Sequence, residues 1–416
     1  MAKTGPSRLF QLLLLMLAGE SVFFLPFVLV RVFRPTFLSV FEITNLELGT
    51  LFSIYGIVAM AAYFFGGPLA DRFSPRVLIA WALLSTGLGG LFMAFTQSVG
   101  TLPWLYAFWG LTTILLFWAA LIKATRALGG NEFQARAFGF LDGGRGFIAA
   151  FISSLAVVVF AFYLPQHTVS ATLAEQQGAF QFVIFFFSAW VILIGILILI
   201  FLKNVQSDDS AIPHKISLQQ MGLIARKPNI WFQAIIIVCA YVGYKITDDF
   251  SLLAKDVLGY TDVESAQVGT LALWMRVITA ITAGVLADKI GQSSKVISWG
   301  FLLTAMSGFV IGSGILPNHP AYHYLLIILI TCLGVYAVRG LYFALIQEAN
   351  ISPSITGTTI GIISVIGFTP EIFMGPLMGY LLDENPGALG HQLVFLVLAG
   401  FAMIGWVSTI LFRRSI

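Results

Sequence analysis

Gly67-Pro68-Leu69-Ala70-Asp71-Arg72-Phe73-Ser74-Pro75-Arg76 closes one long apolar run, and Gly284-Val285-Leu286-Ala287-Asp288-Lys289 closes another 217 residues later. Both stretches place an aspartate four residues after a glycine and a basic residue directly after the aspartate. The displacement is close to half of the 416 residues, so the chain reads as a duplication of two similar halves. Each glycine is expected to let a helix end pack against its neighbour. Asp71, Arg72 and Arg76 in the first copy, with Asp288 and Lys289 in the second, read as charged latches that can break as the halves move, which is a gating role.

The runs between these motifs decide what the halves are made of. Hydrophobic residues are 58% of the chain, charged residues 10%, and mean hydropathy is +0.93. A soluble globule carries about 25% charged residues, so this chain cannot cover a solvated exterior. A spanning helix needs roughly 20 mostly apolar residues. Cutting at the polar and Gly/Pro-rich breaks gives twelve such segments: 9–41, 46–69, 76–96, 102–126, 135–163, 178–203, 228–254, 264–288, 294–315, 321–348, 354–382 and 389–412. Pro26 is expected to kink the first. The polar stretch 204–227 separates an N-terminal six-helix half, 1–203, from a C-terminal one, 228–416. The expected fold class is therefore an all-α integral membrane protein with 12 transmembrane helices in two pseudo-symmetric halves.

Charge fixes the expected orientation. The termini and even-numbered loops hold Lys3, Arg8, Arg72, Arg76, Arg126, Arg136, Lys203, Lys215, Arg226, Lys227, Lys289, Lys295, Arg413 and Arg414. The opposite loops hold Lys255 and the borderline Arg34, among acids such as Glu42, Glu175 and Glu264. The positive-inside rule places both termini in the cytoplasm of a multi-pass protein, a bacterial inner membrane being the expected setting. A net charge of +3 without a clustered basic face gives no footprint for nucleic acid. Cys239 and Cys332 lie inside apolar runs and read as buried hydrophobes rather than a disulfide or metal site. His167, His214, His319, His323 and His391 fall in loops or at span ends without an evident ligand cluster. Nothing resembles a nucleophile triad, a zinc motif or a Walker loop, so no catalytic residue, metal or cofactor is expected, and the chain does not read as an enzyme.

The paired motifs resemble the loop 2–3 and loop 8–9 signature of the major facilitator superfamily, and that resemblance covers essentially the whole chain. It implies the major facilitator fold, a monomer, and a central cavity reached alternately from each side. A narrower likeness runs through Leu29-Val30-Arg31, Asn45 to Gly49, Asp71 to Arg76, Phe117-Trp118 and Asn131 to Arg136. These resemble the organophosphate:phosphate antiporter family, in which arginines on helices 1 and 7 and a histidine on helix 5 handle phosphate. Arg31 matches the first of these. Lys245 stands near the expected place of the second, within Tyr241-Val242-Gly243-Tyr244-Lys245, and Arg145 stands where the resemblance would put the histidine.

Ionisable residues inside spans are candidates in their own right, since each costs a few kcal/mol at the bilayer centre. Arg31, Lys123, Arg145, Lys245, Arg276 and Arg339 are the bases; Glu20, Asp142, Asp248, Asp249 and Glu371 are the acids. Asp142 and Arg145 lie three apart, and Lys245 lies three and four from Asp248 and Asp249, so each set can neutralise itself on one helix face. Gly139, Gly143, Gly144 and Gly146 around Arg145 point to close helix approach or a cavity lining. Arg31 either faces the cavity, where its planar fork takes two oxygens of an anion, or snorkels outward. Arg34 and Lys123 read as interface residues. Arg276 and Arg339 either bind substrate or pair with Glu371. Glu20, Asp142, Glu371 and Asp248 are proton-coupling candidates, with permanent pairing to interior bases as the alternative. Trp104, Trp109, Trp118, Trp274 and Tyr336 flank a substrate or serve as packing.

The expectation is a secondary active transporter for a small organic anion, phosphorylated or sulfonated, bound by Arg31, Arg145, Lys245, Tyr244, Trp118 and Arg339. Exchange for phosphate and cotransport with protons both remain open. So do a proton-coupled symporter or exporter of another polar solute and a non-transporting membrane sensor.

Overall fold

The structure is a computed structural model that describes residues 7–96, 98–164, 171–203, 227–316, 320–349 and 363–416, with the backbone alone over 130–140. Residues 204–226 of the expected linker, Lys3, Lys215, Arg226, His167, His214, His319, and the side chain of Arg136 fall outside the described residues.

Among the described residues, twelve helices are long and apolar enough to cross a bilayer: α1 Arg8–Phe41, α2 Asn45–Arg72, α3 Pro75–Thr96, α4 Val99–Gly129, α5 Leu141–Tyr163, α6 Leu173–Phe201, α7 Pro228–Asp256, α8 Asp262–Ile290, α9 Ser293–Gly312, α10 Ala321–Glu348, α11 Ile363–Glu384 and α12 Ala388–Ser415. These agree with the expected count and nearly all the expected positions. Phe64, Phe65, Phe95, Trp104, Phe162 and Ile281 are exposed, which suits hydrocarbon and would be costly in water. α1 and α7 are the most enclosed spans, with 72% and 67% of their apolar windows buried. They carry five of the eleven intramembrane charges named above, Glu20 and Arg31 on α1 and Lys245, Asp248 and Asp249 on α7.

Local sequence sets the helix ends. Thr44/Glu47, Thr172/Glu175 and Thr261/Glu264 each form a reciprocal capping box at the start of α2, α6 and α8. The first and third boxes are 217 residues apart, the same displacement as Asp71 and Asp288, so α2 and α8 repeat each other from end to end. At the other face Arg8 donates to the Leu128 and Gly129 carbonyls that terminate α4. Gln11 accepts from Lys203 N–H and donates to the Phe201 carbonyl at the end of α6.

Packing divides the chain into two compact units. One comprises Met1–Ile43, Leu51–Ser210 and Tyr260–Leu273; the other comprises Thr44–Thr50, Ala211–Gly259 and Trp274–Ile416. In the first unit Phe33 sits edge-on to Phe160 and Phe180, and the Thr86 and Thr112 hydroxyls share a 2.7 Å hydrogen bond. Gly144 of α5 meets the Met16 side chain so closely that a Cβ there would collide with it, and Gly19 of α1 touches Arg145 Cδ at 3.2 Å. This is the close approach that the α5 glycines announce. In the second unit the start of α2 lies backbone to backbone on α11, Gly49 against Gly375 and Gly379 against Asn45. Asp383 there accepts from the Asn45 and Leu46 amides at 3.1 and 2.7 Å.

Two expectations need correction. Gly67 and Gly284 have open space where a Cβ would stand; Gly66, one residue earlier, makes the tight approach, to the Ile114 carbonyl. Arg34 is buried at 1% exposure and is not an interface residue. The reason is that α1 breaks rather than ends: Phe33 leaves helical geometry at φ −114°, Pro35 follows, and the helix then runs on to Phe41. The kink expected at Pro26 is a π-helical turn over Phe24–Val28.

Candidate functional site

Among the described residues, each unit holds a buried cluster of charge on aromatic faces. In the first, α1 contributes Glu20 and Phe23, α4 contributes Trp118, and α5 contributes Asp142 and Arg145. Arg145 Nε lies 3.1 Å from Glu20 Oε2, with the carboxylate side chain 4% exposed. Arg145 Nη1 reaches Asp142 Oδ1 at 3.4 Å, although that carboxylate is largely exposed. The guanidinium carbon stands 5.6 Å from the rings of both Phe23 and Trp118. Both rings border helix irregularities, Phe23 the π turn of α1 and Trp118 the π turn Leu111–Trp118 of α4. Such turns re-aim side chains and are common at functional sites.

In the second cluster α7 contributes Tyr241, Tyr244, Lys245 and Asp248, all on one face by the i, i+3, i+4, i+7 rule. Lys245 Nζ sits between Glu371 Oε1 of α11 at 3.1 Å and Asp248 Oδ2 at 3.4 Å. Tyr241 donates its hydroxyl to the other Glu371 oxygen at 2.5 Å. Arg339 of α10 stands over the Tyr244 ring, its guanidinium carbon 3.5 Å from the ring centroid and 5.6 Å from that of Tyr241. Arg339 Nη1 is buried without a hydrogen-bond partner among the described residues. At Asp248 itself, α7 tightens into a 3-10 turn over Thr247–Asp249.

The two clusters answer each other through the repeat. Lys245 follows Glu20 by 225 residues and Glu371 follows Arg145 by 226, so the same two helices of each half carry an ion pair with its charges exchanged. A base and an acid inside a low-dielectric bundle neutralise each other while leaving lone pairs and N–H groups to meet a polar guest. Stacking on rings spares a cation some of the cost of leaving water.

The structure brings Glu20, Trp118, Asp142 and Arg145 together, and Tyr244, Lys245, Asp248, Arg339 and Glu371 together. It does not bring Arg31 to Arg145: Arg31 is eleven residues beyond Glu20, about 16 Å along a helix, and is 1% exposed. Its backbone carbonyl lies against Gly269 of α8. Snorkelling outward is excluded by that burial. Arg339 does not pair with Glu371: the carboxylate oxygens meet Tyr241 and Lys245, and Arg339 meets the Tyr244 ring. Of the aromatic candidates, Trp118 touches a cluster, Trp109 donates to the Thr86 carbonyl inside the fold, and Trp104 is exposed. Cys239 and Cys332 are buried and free, as expected.

Among the gating candidates, Asp71 lies 3.8 Å from Lys123 of α4, which also donates to the Ala70 carbonyl at 2.9 Å and so clasps the end of α2. Lys123 is half-buried against protein rather than simply an interface residue. Arg72 lies over Phe73, Arg76 is half-buried, and Asp288 and Lys289 are exposed.

Sequence reasoning missed His391. It is buried at the start of α12, with Nδ1 2.7 Å from Asp249 Oδ2 and Nε2 3.4 Å from Asp256 Oδ2. The available signal was Asp249 and Asp256 at i, i+7, two acids on one face of α7 that call for a shared partner. Asp249 accordingly does not pair with Lys245.

The sequence matches the Major Facilitator Superfamily over residues 14–370. It is 30% identical over 380 residues to the inner membrane protein YqcE of Escherichia coli (strain K12), covering 89% of this chain and 86% of that one. It is 27% identical over 415 residues to the inner membrane protein YihN of the same strain, covering 97% and 94%. The fold superposes with a TM-score of 0.78 on a bacterial homolog of the human lysosomal transporter Spinster, at 17% identity and covering 99% of this chain and 98% of that one. Twelve apolar spans, a duplicated latch motif and a match across most of the length converge: the chain belongs to the major facilitator superfamily and is a multi-pass membrane transporter of some solute.

Proposed function

We propose that this transporter carries a small organic anion, phosphorylated or sulfonated, across an inner membrane by alternating access, with both termini in the cytoplasm. The observation that carries this reading is Arg339: a guanidinium stacked on Tyr244, beside Tyr241, with a buried donor that no described residue satisfies. A buried unsatisfied donor costs about 1–3 kcal/mol, which an incoming oxygen recovers. Arg339 and Lys245 are the proposed anion ligands of the second cluster, with Tyr244 as the ring face; Arg145 and Trp118 are the proposed ligand and ring face of the first. The resemblance to organophosphate:phosphate antiporters supports a phosphate group as the recognised end, and the inner-membrane names of two relatives support the setting.

The buried acids favour proton cotransport as the coupling. An anion that draws Lys245 toward itself leaves Glu371 charged in a poorly hydrated site, and taking up a proton is the least costly compensation. Glu20 stands in the same relation to Arg145.

Thermal-shift screening of purified protein against phosphate monoesters, sulfonates, carboxylates and neutral sugars tests the reading. Stabilisation by one anionic class, weakened roughly tenfold to a hundredfold by Arg339→Ala, is expected from loss of charge-assisted hydrogen bonds worth about 1.5–3 kcal/mol. Stabilisation by neutral or cationic compounds alone refutes it.

A further inference from the structure

The Asp249–His391–Asp256 cluster belongs to neither the latch motifs nor the anion-binding set. Three observations give it a direction. Side-chain exposure falls from 38% at Asp256 to 2% at His391 and to nothing at Asp249, so the cluster runs from the end of α7 into the protein interior. The second Asp249 oxygen, Oδ1, is buried with no hydrogen-bond partner among the described residues. The residue before Asp249 is Asp248, which is paired with Lys245 and through it with Glu371. A hydrogen-bonded series therefore runs from Asp256 through His391 to Asp249, and the preceding residue, Asp248, belongs to the ion pair of the second cluster. The adjacent aspartates sit in the 3-10 turn Thr247–Asp249 and, pointing in different directions, serve two different partners.

We propose that Asp249, His391 and Asp256 form a proton-binding site connecting the membrane face opposite the C-terminus with the Lys245–Glu371 pair. By the charge distribution that face is the outer one. A proton arriving on Asp256 passes to His391 Nε2, and the Nδ1 proton passes to Asp249 Oδ2, leaving the imidazole neutral with its proton on Nε2. One pass therefore conserves the proton and reverses the tautomer, and the ring must exchange tautomers, returning its proton to Nδ1, before it accepts from Asp256 again. Protonated Asp249 can then present its charge change to Asp248 and Lys245. The charged groups on the elements packed around His391 are Asp249, Lys255 and Asp256 on α7 and Asp383 and Glu384 on α11. Asp383 is occupied by the start of α2, and the described end of α9 adds none. The site does not depend on which solute is carried, so its failure and that of the anion reading are distinguishable.

The test is an infrared pH titration of the full chain in lipid, without solute, following the protonated-carboxyl C=O band together with the ¹⁵N signal of His391. Asp256→Asn, at the exposed end, is the variant least disturbing to the fold, with Asp249→Asn, His391→Gln and Glu371→Gln beside it. His391 and a carboxyl component that Asp249→Asn removes are expected to titrate together, and Asp256→Asn to move their midpoint by about one pH unit, a tenfold change in proton affinity. The component removed by Glu371→Gln is expected to move in Asp249→Asn as well. If carboxyl bands and the imidazole signal are unchanged in Asp249→Asn and Asp256→Asn while Tm falls, the cluster is a structural tie between α7 and α12. An unmoved Glu371 component overturns the connection to the ion pair.

Discussion

Lys245 is the residue on which the second cluster balances. It faces two carboxylates, Asp248 and Glu371, with Arg339 held on the neighbouring rings. Replacing it with methionine leaves two buried acids and a single nearby base, and breaking a buried pair in this way costs about 3–5 kcal/mol. Glu371→Gln removes one negative charge but keeps an oxygen for Tyr241 and leaves Lys245 with Asp248, so its cost is expected nearer about 1–3 kcal/mol. Thermal denaturation in detergent should rank Lys245→Met well below Glu371→Gln, and the reverse order would show that Lys245 is not the keystone. Arg339→Lys is a second test at this scale. An ammonium cannot lie flat on Tyr244 and still present a planar fork of donors. It should lose most of the anion-induced thermal shift despite keeping the charge, whereas a pure charge effect would leave the shift intact.

Among the elements, α1 and α5 show how a helix contact positions chemistry. Gly144 admits the Met16 side chain and Gly19 admits the stem of Arg145, so the two helices come close enough for Arg145 to reach Glu20. Gly143, one residue away, faces open space. Gly144→Val is therefore expected to destabilise by about 1–3 kcal/mol through overpacking, while Gly143→Val should be nearly neutral because valine is, if anything, the better helix former. Met16→Ala should restore much of the Gly144→Val loss, and equal Tm values for the two glycine variants would contradict the packing. The glycine-rich stretch is legible in the sequence as a close approach, and so are the i, i+3 pairs Asp142–Arg145 and Lys245–Asp248. What local sequence does not record is the rotation of one helix relative to another. Glu20–Arg145 and Lys245–Glu371 are separated by 125 and 126 residues. Their recognition depends on which faces meet, and that is decided by packing along entire spans. The π turn beside Phe23 is announced in the sequence only as a kink at Pro26, the polar Thr247-Asp248-Asp249 stretch does not by itself specify a 3-10 turn, and the π turn at Trp118 lies in a run as apolar and helix-compatible as the rest of its span.

At the scale of the whole molecule, the duplication offers its own experiment. The C-terminal half shows that the ion pair is sound with its base on the first helix of the repeat and its acid on the fifth, and the N-terminal half shows it sound the other way round. If the repeat defines a common receptacle, Glu20→Arg combined with Arg145→Glu should be tolerated, since it recreates in one half the polarity already present in the other. Each single reversal sets two like charges together at a buried site and should lower Tm sharply. The double reversal should recover most of that loss, with a coupling energy within the roughly 0.5–3 kcal/mol found for contacting residues. The surroundings argue for incomplete recovery, because Phe23 and Trp118 face a cation placed on α5 and would not follow one moved to α1. A double variant as unstable as the worse single one would mean that each half has specialised its pocket around a fixed polarity. The equal spacing of the two pairs would then be ancestry without interchangeable chemistry.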